Sequence, residues 1–430
     1  MALFNTLNTG ITGLGSNGLA LSVIGDNIAH MNTNGFKGST AQFQDLVVEK
    51  LSGGRGQLGL GSALGKVRQS FAQGALENSS RNGDVAIDGK GFFVVQDTDG
   101  NDFYTRAGQF QLTTEGNLID LVGNKLQGFG VISPGGTLNT APGDLLIPTT
   151  PIPGVATTEL TLSANLNPDI GRTVFSTPPV IAAGDDFSVV TDAADFTTSM
   201  TVYDSLGGSH DVTVAYYETA TGAWTYSAYV DAGETGGTEG EPVEIGSGTV
   251  AFDTSGNLDA AASTINPAAV TFTGAAAQTI AFDFGQADGG GSLTQYDDGG
   301  FSVSDVQQNG NGSGSLIDFS IDRDGLVSGI YSNGESRTLG QVVLATFRAE
   351  GELERAGNNL FAATTLSGEP AIGVPGTGGR GRTQAFAVEL SNVDLESEFV
   401  RMIKSQKGYQ AGARVVSSAD DMLQELIQIA

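Results

Sequence analysis

Residues 391–430 read SNVDLESEFVRMIKSQKGYQAGARVVSSADDMLQELIQIA, and this stretch decides how the rest of the chain is interpreted. An apolar residue recurs at every seventh position: Leu395, Met402, Tyr409, Val416, Leu423 and Ala430. A second, interrupted row contains Phe399, Ala413 and Ile427. This spacing lays an apolar seam along one side of an α-helix that winds around a partner. Because no proline follows Pro375, we predict one continuous helix that starts at a capping box formed by Ser391 to Asp394.

The opposite end of the chain carries a matching seam. Its apolar row consists of Leu7, Leu14, Leu21 and Ile28, with Leu3, Ile24 and Met31 in the adjoining row. We therefore predict a helix over residues 1–33. Two helices with the same period indicate that the termini pair with each other, with other copies of the chain, or with both. Two ordinary amphipathic helices packed on one globular core are the alternative.

Glycine weakens the predicted N-terminal helix. The glycines inside it are Gly10, Gly13, Gly15, Gly18 and Gly25. Each costs a helix interior about 0.8–1 kcal/mol relative to alanine, so together they cost on the order of 4–5 kcal/mol. We expect this segment to be unfolded alone and helical only when another surface buries its seam. Glycine would also let two helix backbones approach closely.

The composition favours a β-rich chain with many turns between helical ends. The chain has 430 residues, of which 63 are glycine and none is cysteine. This length is sufficient for roughly two to four domains. The lack of cysteine excludes disulfides and cysteine-ligated zinc. No apolar run approaches the roughly 18 residues of a membrane span, and the N-terminus lacks the features of a secretory signal peptide.

The negative charge is concentrated in the middle of the chain. The net charge is −28, and residues 151–310 contain 21 acidic residues against one basic residue, Arg172. Such a surface repels nucleic acid and anionic membranes, so we expect neither as a partner. We interpret the acidity as a solvated surface that keeps a crowded assembly soluble. Ion binding or adaptation to high salt is the alternative.

Short apolar runs separated by turn residues predict a mainly β chain with two nested antiparallel β-domains between the terminal helices. We predict the following division: a terminal helical assembly domain from 1–33 and 391–430, a linker at 34–75, a discontinuous inner β-domain from 76–150 and 311–390, and an outer acidic β-domain at 151–310. Residues 41–51 suit a short helix or a strand. The glycine-rich stretches 52–65 and 373–382 are typical of flexible connectors.

Motifs for catalysis or cofactor binding are incomplete. Gly13 to Gly18 matches G-x-G-x-x-G, but no strand precedes it as a dinucleotide site requires. Asp97 to Asp102 resembles a calcium loop, yet Asp102 stands where that loop needs glycine, which favours a hairpin turn. His30 and His210 are too few for a histidine triad or a multi-histidine metal site. Carboxylate count alone leaves a hydrolase open, but we predict no enzyme activity, no cofactor and no metal.

Short polar signatures stand beside both predicted terminal helices. The N-terminal signature comprises Asn27, Asn32, Thr33, Gly35 and Phe36, and the C-terminal signature includes Asn392 and Asp394. Together they resemble the signatures of the bacterial flagellar rod and hook protein family. Asp88 to Val95 and Tyr331 to Gly334 are similar to stretches of that family's first β-domain. His30 departs from the pattern, because the family usually has asparagine there, and this affects one local hydrogen bond.

The resemblance implies a subunit that stacks helically into a hollow, curved tube. The length and the central insertion are similar to the hook members, whose polymer transmits torque as a universal joint between rod and filament. By the same resemblance, the partners are other copies of the chain, the rod, the hook cap and the hook–filament junction proteins, reached outside the cell by type III export. The residues expected to carry self-assembly are Leu7, Leu14, Leu21, Ile28, Leu395, Phe399, Met402, Tyr409, Val416 and Leu423. A distal-rod or other axial protein and a secreted β-rich adhesin are the alternatives.

Overall fold

The computed structural model describes residues 2–46, 48–50, 57–132, 137–168, 175–285, 292–297 and 300–429. The chain folds into two compact units. The first unit comprises Met1–Thr149, Asp318–Ile330 and Ser336–Ala430, and the second comprises Thr150–Ile317 and Tyr331–Glu335. Our finer division into a helical domain, a linker and two β-domains stays a prediction.

The predicted fold class, mainly β with helical termini, is confirmed. The helices are α1 (Ala2–Ala29), α2 (Ser188–Ala193) and α3 (Leu395–Ile429). The prediction that the C-terminal helix starts with a capping box at Ser391 is wrong, because α3 begins at Leu395 and Asp394 is its capping residue. The N-terminal helix ends at Ala29, four residues earlier than predicted, and a turn follows it.

The described part of the chain between α1 and α3 consists mainly of strands, which are joined by turns and by several longer loops. Before the second unit they are β1 (Ser39–Asp45), β2 (Val48–Lys50), β3 (Gln57–Gly59), β4 (Ser62–Gln69), β5 (Leu76–Asn78), β6 (Val85–Asp88), β7 (Phe92–Gln96), β8 (Asp102–Thr105), β9 (Gln111–Leu112), β10 (Leu118–Ile119), β11 (Lys125–Gly130) and β12 (Gly143–Asp144). In the second unit they are β13 (Glu159–Asn165), β14 (Phe196–Tyr203), β15 (Ser209–Ala220), β16 (Ala223–Asp231), β17 (Pro242–Ala251), β18 (Ala268–Val270), β19 (Gln278–Asp283), β20 (Ser292–Thr294) and β21 (Ser302–Gln308). The remainder are β22 (Leu316–Ile321), β23 (Leu326–Tyr331), β24 (Ser336–Val342), β25 (Leu344–Thr346), β26 (Glu354–Gly357), β27 (Leu360–Ala362), β28 (Ala371–Gly373), β29 (Arg382–Ala385) and β30 (Ala387–Glu389).

The main sheet of the first unit is woven from both halves of the chain. Its order is β22-β23-β24-β11-β7-β8-β27-β26, so three strands that precede the second unit lie between two groups that follow it. A largely aromatic core covers one face, and its buried members are Phe92, Val94, Tyr104, Val343, Ala345, Phe347, Leu353 and Phe361. The rings meet edge to face, for example Tyr104 and Phe347 with centroids 4.7 Å apart, the arrangement that aromatic quadrupoles favour.

The second unit is a sandwich of two sheets. One sheet is antiparallel in the order β14-β15-β16-β17, and the other runs β18-β19-β13-β20, with β21 also paired to β13. Their inward faces share one core around Trp224 and Tyr226, while α2 packs Val190 on the outer face of the first sheet. The prediction of a wholly antiparallel domain is wrong here, because β13 runs parallel to β19 and β20. Long crossovers separate β13 from both strands, as parallel pairing requires.

The glycine-rich stretches are not flexible connectors where the structure describes them. Residues 57–59 and 62–65 belong to β3 and β4, and residues 52–56 lie outside the described part. Residues 373–382 form a tight turn in which the Gly376 amide donates to the Gly381 carbonyl at 2.8 Å. The Arg380 guanidinium bonds the carbonyls of Val374 and Ala371 across the same turn. Composition predicted mobility, whereas side-chain and backbone hydrogen bonds fix this loop.

Candidate functional site

The two terminal helices lie antiparallel and in contact. Gly10 lies beside Val416 and Gly412, whereas Asn17, further along α1, lies beside Gly408, earlier in α3. A Cβ atom on Gly412 would stand 3.2 Å from Leu14 Cγ and 3.4 Å from the Gly10 carbonyl oxygen. The helices therefore cross where glycine removes the side chains that would hold their backbones apart.

The predicted seam residues do not all face this contact. Those that are half-buried are Leu7, Leu14, Leu21, Ile28, Leu395, Met402, Val416 and Leu423. Tyr409 and Phe399 are 46% and 47% exposed, and Gly408 takes the place of Tyr409 against α1. A straight α-helix drifts from a strict seven-residue repeat by about 20° per heptad, so a single heptad row cannot face one partner throughout. Residue 430 and the side chains of Leu3 and Ile427 lie outside the described part.

Both helices expose apolar surface on their remaining faces. The exposed apolar residues are Ile11, Leu19, Phe399, Val400, Ile403, Tyr409, Val415 and Met422. Four glycines of α1 border open space, since a Cβ atom placed on any of them would meet no described atom within 4 Å apart from its chain neighbours and the nearby backbone of α1 itself: Gly13, Gly15, Gly18 and Gly25. Large exposed apolar residues that recur along both paired helices are typical of an interaction site.

Two signature asparagines fasten the chain where it leaves α1 and where it approaches α3. Asn27 is buried, and its amide exchanges two hydrogen bonds with the backbone of Ser39, at 2.7 and 2.8 Å. Asn392 accepts from the Gly38 amide at 2.8 Å and donates to the carbonyls of Ser70 and Ala72. Both asparagine side chains thus bond backbone amide and carbonyl groups in the way that a neighbouring strand would.

Signature residues Gly35 and Phe36 make the turn that leads into the first unit. Gly35 adopts a φ of +72°, and a Cβ there would lie 2.4 Å from the Ala107 nitrogen. Phe36 is buried, with the His30 ring stacked 4.6 Å away and the Arg355 guanidinium 5.1 Å above it. The turn therefore needs glycine for both conformation and space.

The other signature residues have smaller roles. His30 Nδ1 lies 3.2 Å from the Thr33 hydroxyl, so the histidine that replaces the expected asparagine still makes a local hydrogen bond. Asn32 is exposed. The role of all these signature residues in assembly stays a prediction.

A buried cluster of three charges lies beneath this turn. Lys37 Nζ donates to Glu389 Oε1 at 2.6 Å, and Arg106 Nη1 donates to Glu389 Oε2 at 3.3 Å, with all three side chains almost fully buried. The Gly74 amide also donates to Glu389 Oε1 at 2.8 Å. Lys37 Nζ donates in addition to the Ala72 carbonyl, also at 2.8 Å. Burial lowers the pKa of the Lys37 ammonium and of the Arg106 guanidinium, and the Glu389 carboxylate opposes that effect.

This cluster joins segments from three parts of the sequence. Lys37 follows α1, Glu389 ends β30 just before α3, and Arg106 follows β8 of the main sheet. The Gly35 amide also donates to the Glu389 backbone carbonyl at 2.7 Å. The two chain segments that lead to the helix pair are therefore held to each other and to the sheet by one carboxylate.

The sequence patterns did not predict this cluster. The signal was local: Glu389 is a lone acid in an apolar run, AFAVEL, and Lys37 directly follows the signature Phe36. A charged residue inside an apolar run is almost never fully buried unless it is paired. The partners could not be assigned, because 352 residues separate Lys37 from Glu389.

Asp394 caps α3, and we predict that removing it frays the start of this helix. Its carboxylate accepts from the Glu396 amide and, at 2.6 Å, from the Ser397 hydroxyl. The hydrogen bond from Ser397 lowers the pKa of Asp394. A depressed carboxylate pKa stabilises the helix start above the ordinary pKa of aspartate, and that contribution is lost as pH falls through the lowered value.

Far-UV circular dichroism of Asp394→Ala should therefore show less helix than wild type at neutral pH, and the two proteins should converge in acid. Asp421→Ala, which changes an exposed acid late in α3, is the matched control. Equal helix content in Asp394→Ala and wild type at neutral pH would contradict the capping role.

The described helices include none that is long and apolar enough to cross a membrane. Within the same described residues, no group of three or more histidine, aspartate or glutamate side chains is placed to hold a metal ion. The calcium-like stretch forms a hairpin turn, as predicted, in which Asp97 Oδ1 accepts from the amides of Asp99 and Asn101.

Three protein-family models match successive parts of the chain. Residues 86–165 match the flagellar hook protein FlgE/F/G D1 domain, and residues 176–311 match the flagellar basal body protein FlaE D2 domain. Residues 384–429 match the C-terminal model of the flagellar basal body rod FlgEFG proteins. The last match contains both Glu389 and the whole of α3.

Full-length relatives agree with these matches. The flagellar hook protein FlgE of Salmonella typhimurium strain LT2 is 34% identical over 423 residues, which is 97% of this chain and 98% of that protein. The protein of the same name from Escherichia coli K12 is 32% identical over 423 residues, which is again 97% of this chain and 98% of that protein. A crystal structure of Helicobacter pylori flagellar hook protein FlgE2 aligns with a TM-score of 0.50 at 15% identity, over 72% of this chain and 99% of that one, and supports the fold.

Proposed function

This chain belongs to the flagellar hook protein family, and on that premise we propose how it works as a structural subunit of the hook, an extracellular part of the flagellum. Copies of the chain polymerise through the exposed faces of α1 and α3 into a curved, hollow tube. The tube acts as a universal joint that transmits torque, and its ends contact the rod, the hook cap and the hook–filament junction proteins. Subunits reach this position by type III export.

The observation that carries the proposal is the exposed apolar surface of the helix pair. Ile11 and Leu19 flank Gly15 on one face of α1, and Phe399 and Ile403 lie one turn apart on α3. α1 contributes no charge that could keep such a surface soluble apart from Asp26. Burial against other copies removes this surface from water, at about 25 cal/mol for each Å².

We further propose that the buried charge cluster carries force from the helices into the first unit. Lys37 and Glu389 lie at the two points where the chain joins α1 and α3 to the sheet. A pull on either helix therefore acts on Glu389 and, through Arg106, on the strand β8. Packed and hydrogen-bonded contacts of this kind transmit strain because they are not continuously deformable.

Limited proteolysis of monomer and polymer tests the proposal. The five glycines of α1 cost on the order of 4–5 kcal/mol of helix stability, so the helix pair of the monomer should open often. We therefore expect both terminal helices to be cut much faster in the monomer than in the polymer. A protease of broad specificity is required, because α1 contains neither lysine nor arginine. Protection of both ends in a stable monomer would contradict assembly through them.

Electron micrographs of the polymer separate a hook subunit from a distal-rod protein. A hook subunit should give a curved tube. A straight polymer under all conditions would favour the rod protein instead.

A further inference from the structure

The two units differ sharply in charge. The second unit contains 22 acidic residues and one basic residue, for a net charge of −21, whereas the first contains 26 acidic and 19 basic residues, for −7. All seven lysines lie in the first unit. Stacked copies bring many second units close together, and like charges repel. A positive surface on a neighbouring copy would offset that repulsion.

One groove of the first unit collects such charge. It has a volume of about 980 Å³ and lies between the strands β1 and β4 on one side and residues 347–352 on the other. Its charged lining consists of Lys66, Arg68, Lys90, Arg348, Glu350 and Glu352. Four cations against two carboxylates make this a positive site on a strongly negative protein.

The two carboxylates are already engaged within the chain. Glu352 forms an ion pair with Lys66. Glu350 acts electrostatically on the buried Lys37 and Arg106 and raises the pKa of both, against the larger effect of burial. Arg68, Lys90 and Arg348 are exposed, and the described residues include no ion-pair partner for them.

The groove is fixed in shape before anything binds. Its floor includes Phe71 and Phe347, and both rings pack into the aromatic core of the main sheet against Phe92, at 5.4 and 6.0 Å between centroids. One wall is the paired strands β1 and β4, in which Gln42 faces Lys66 and Thr40 faces Arg68 across the ladder. Of the three cations without an ion-pair partner among the described residues, Arg68 lies on the strand β4, and Lys90 and Arg348 lie on short turns beside the aromatic core. A preformed backbone of this kind lowers the ordering cost of binding.

We propose that this groove binds carboxylates of the second unit of a neighbouring copy. Charge complementarity selects that partner, because the second unit is the most acidic part of the molecule and has one basic residue of its own. The inference rests on the proposed function, since it requires polymerised copies. Its effect is to fix which surfaces meet and to raise the rate of correct association.

Carbodiimide cross-linking of the wild-type chain tests the contact directly, because this reagent joins a lysine amine to a carboxylate that touches it. We expect peptides that link Lys66 or Lys90 to carboxylates within residues 150–317 in the polymer and not in the monomer. The link from Lys66 to Glu352 of the same chain is expected in both states, because these two side chains form an ion pair. Links from Lys66 or Lys90 to carboxylates of the first unit that form only in the polymer would overturn the proposal. Polymer that yields links from Lys404 or Lys407 but none from the groove would overturn it as well.

Charge reversal gives a second, independent test. Arg68→Glu combined with Arg348→Glu should raise the critical concentration for polymerisation about tenfold, which corresponds to weak attraction at each of two exposed charges. The control is Arg81→Glu combined with Arg323→Glu, which changes the net charge equally at exposed sites outside the groove and should have an effect of less than about twofold. Circular dichroism of the monomers verifies that all variants fold.

The two proposals fail in different ways. Equal critical concentrations for the groove pair and the control pair would overturn the groove and leave the hook subunit intact. A wild-type chain that never polymerises would overturn the proposed function.

Discussion

Replacing Glu389 with glutamine is expected to destabilise the first unit by about 3–5 kcal/mol, the cost of breaking a buried ion pair by removing one partner. Glutamine has nearly the same shape, so packing is retained and only the charge is lost. Lys37 and Arg106 would then be two buried cations without a counter-charge, and burial already lowers the pKa of each. The loss should therefore exceed that of any exposed ion pair in this protein.

Urea unfolding can assign this loss to one unit. Trp224 is the only tryptophan and is buried in the core of the second unit, so its fluorescence reports that unit alone. We expect Glu389→Gln to leave the Trp224 transition unchanged. The midpoint of first-unit unfolding, followed by proteolysis, should fall by more than about 1 M urea.

Glu354→Gln is the matched control, because Glu354 is an exposed acid of the same unit. It should change neither transition. If Glu389→Gln behaved like this control, the carboxylate would not be neutralising the buried cations, and the proposed path of force through it would lose its support.

Replacing Gly412 with leucine is expected to separate α1 from α3 and to abolish polymerisation. The new Cβ would lie 3.2 Å from Leu14 Cγ and 3.4 Å from the Gly10 carbonyl oxygen, so α1 must shift even before the rest of the leucine side chain is placed. Overpacking of this kind costs about 1–3 kcal/mol. Leucine favours an isolated helix over glycine by up to about 1 kcal/mol, so the clash outweighs the gain in propensity.

Gly15→Leu is the informative comparison. Gly15 is exposed on α1, with open space around it in the described chain. We expect this variant to retain the helix pair in the monomer and to impair polymerisation, since the exposed face is proposed to meet other copies. Sedimentation of polymer and proteolysis of monomer measure the two effects separately. Normal polymerisation of Gly15→Leu would place the contact between copies on another face.

The sequence predicted the elements of the helix pair better than their contact. Apolar spacing identified both helices because a seven-residue row survives without tertiary information. It could not identify Gly10 and Gly412 as the crossing point, since glycine carries no hydrophobic signal. It also placed Tyr409 on the seam, whereas Gly408 occupies that position.

In the β regions too, features specified by adjacent residues were predicted, and contacts between residues far apart in the sequence were not. Turn residues predicted the hairpins, including the one closed by Asp97, because each hairpin is specified by adjacent residues. The parallel pairing of β13 with β19 joins strands separated by more than a hundred residues, and no local pattern encodes such a partner. The same distance hid the ion pair between Lys37 and Glu389.

The chain enters and leaves the second unit along two neighbouring segments that are joined by isolated antiparallel bridges. The Ile152 amide donates to the Gly314 carbonyl at 2.8 Å, and the Val155 amide donates to the Asn311 carbonyl at 2.9 Å. Closely spaced ends are the condition under which one domain can be inserted into another without disturbing its host. The segment between these bonds can therefore be lengthened, shortened or replaced by another domain, in evolution or by design, without changing the order of strands in the main sheet of the first unit.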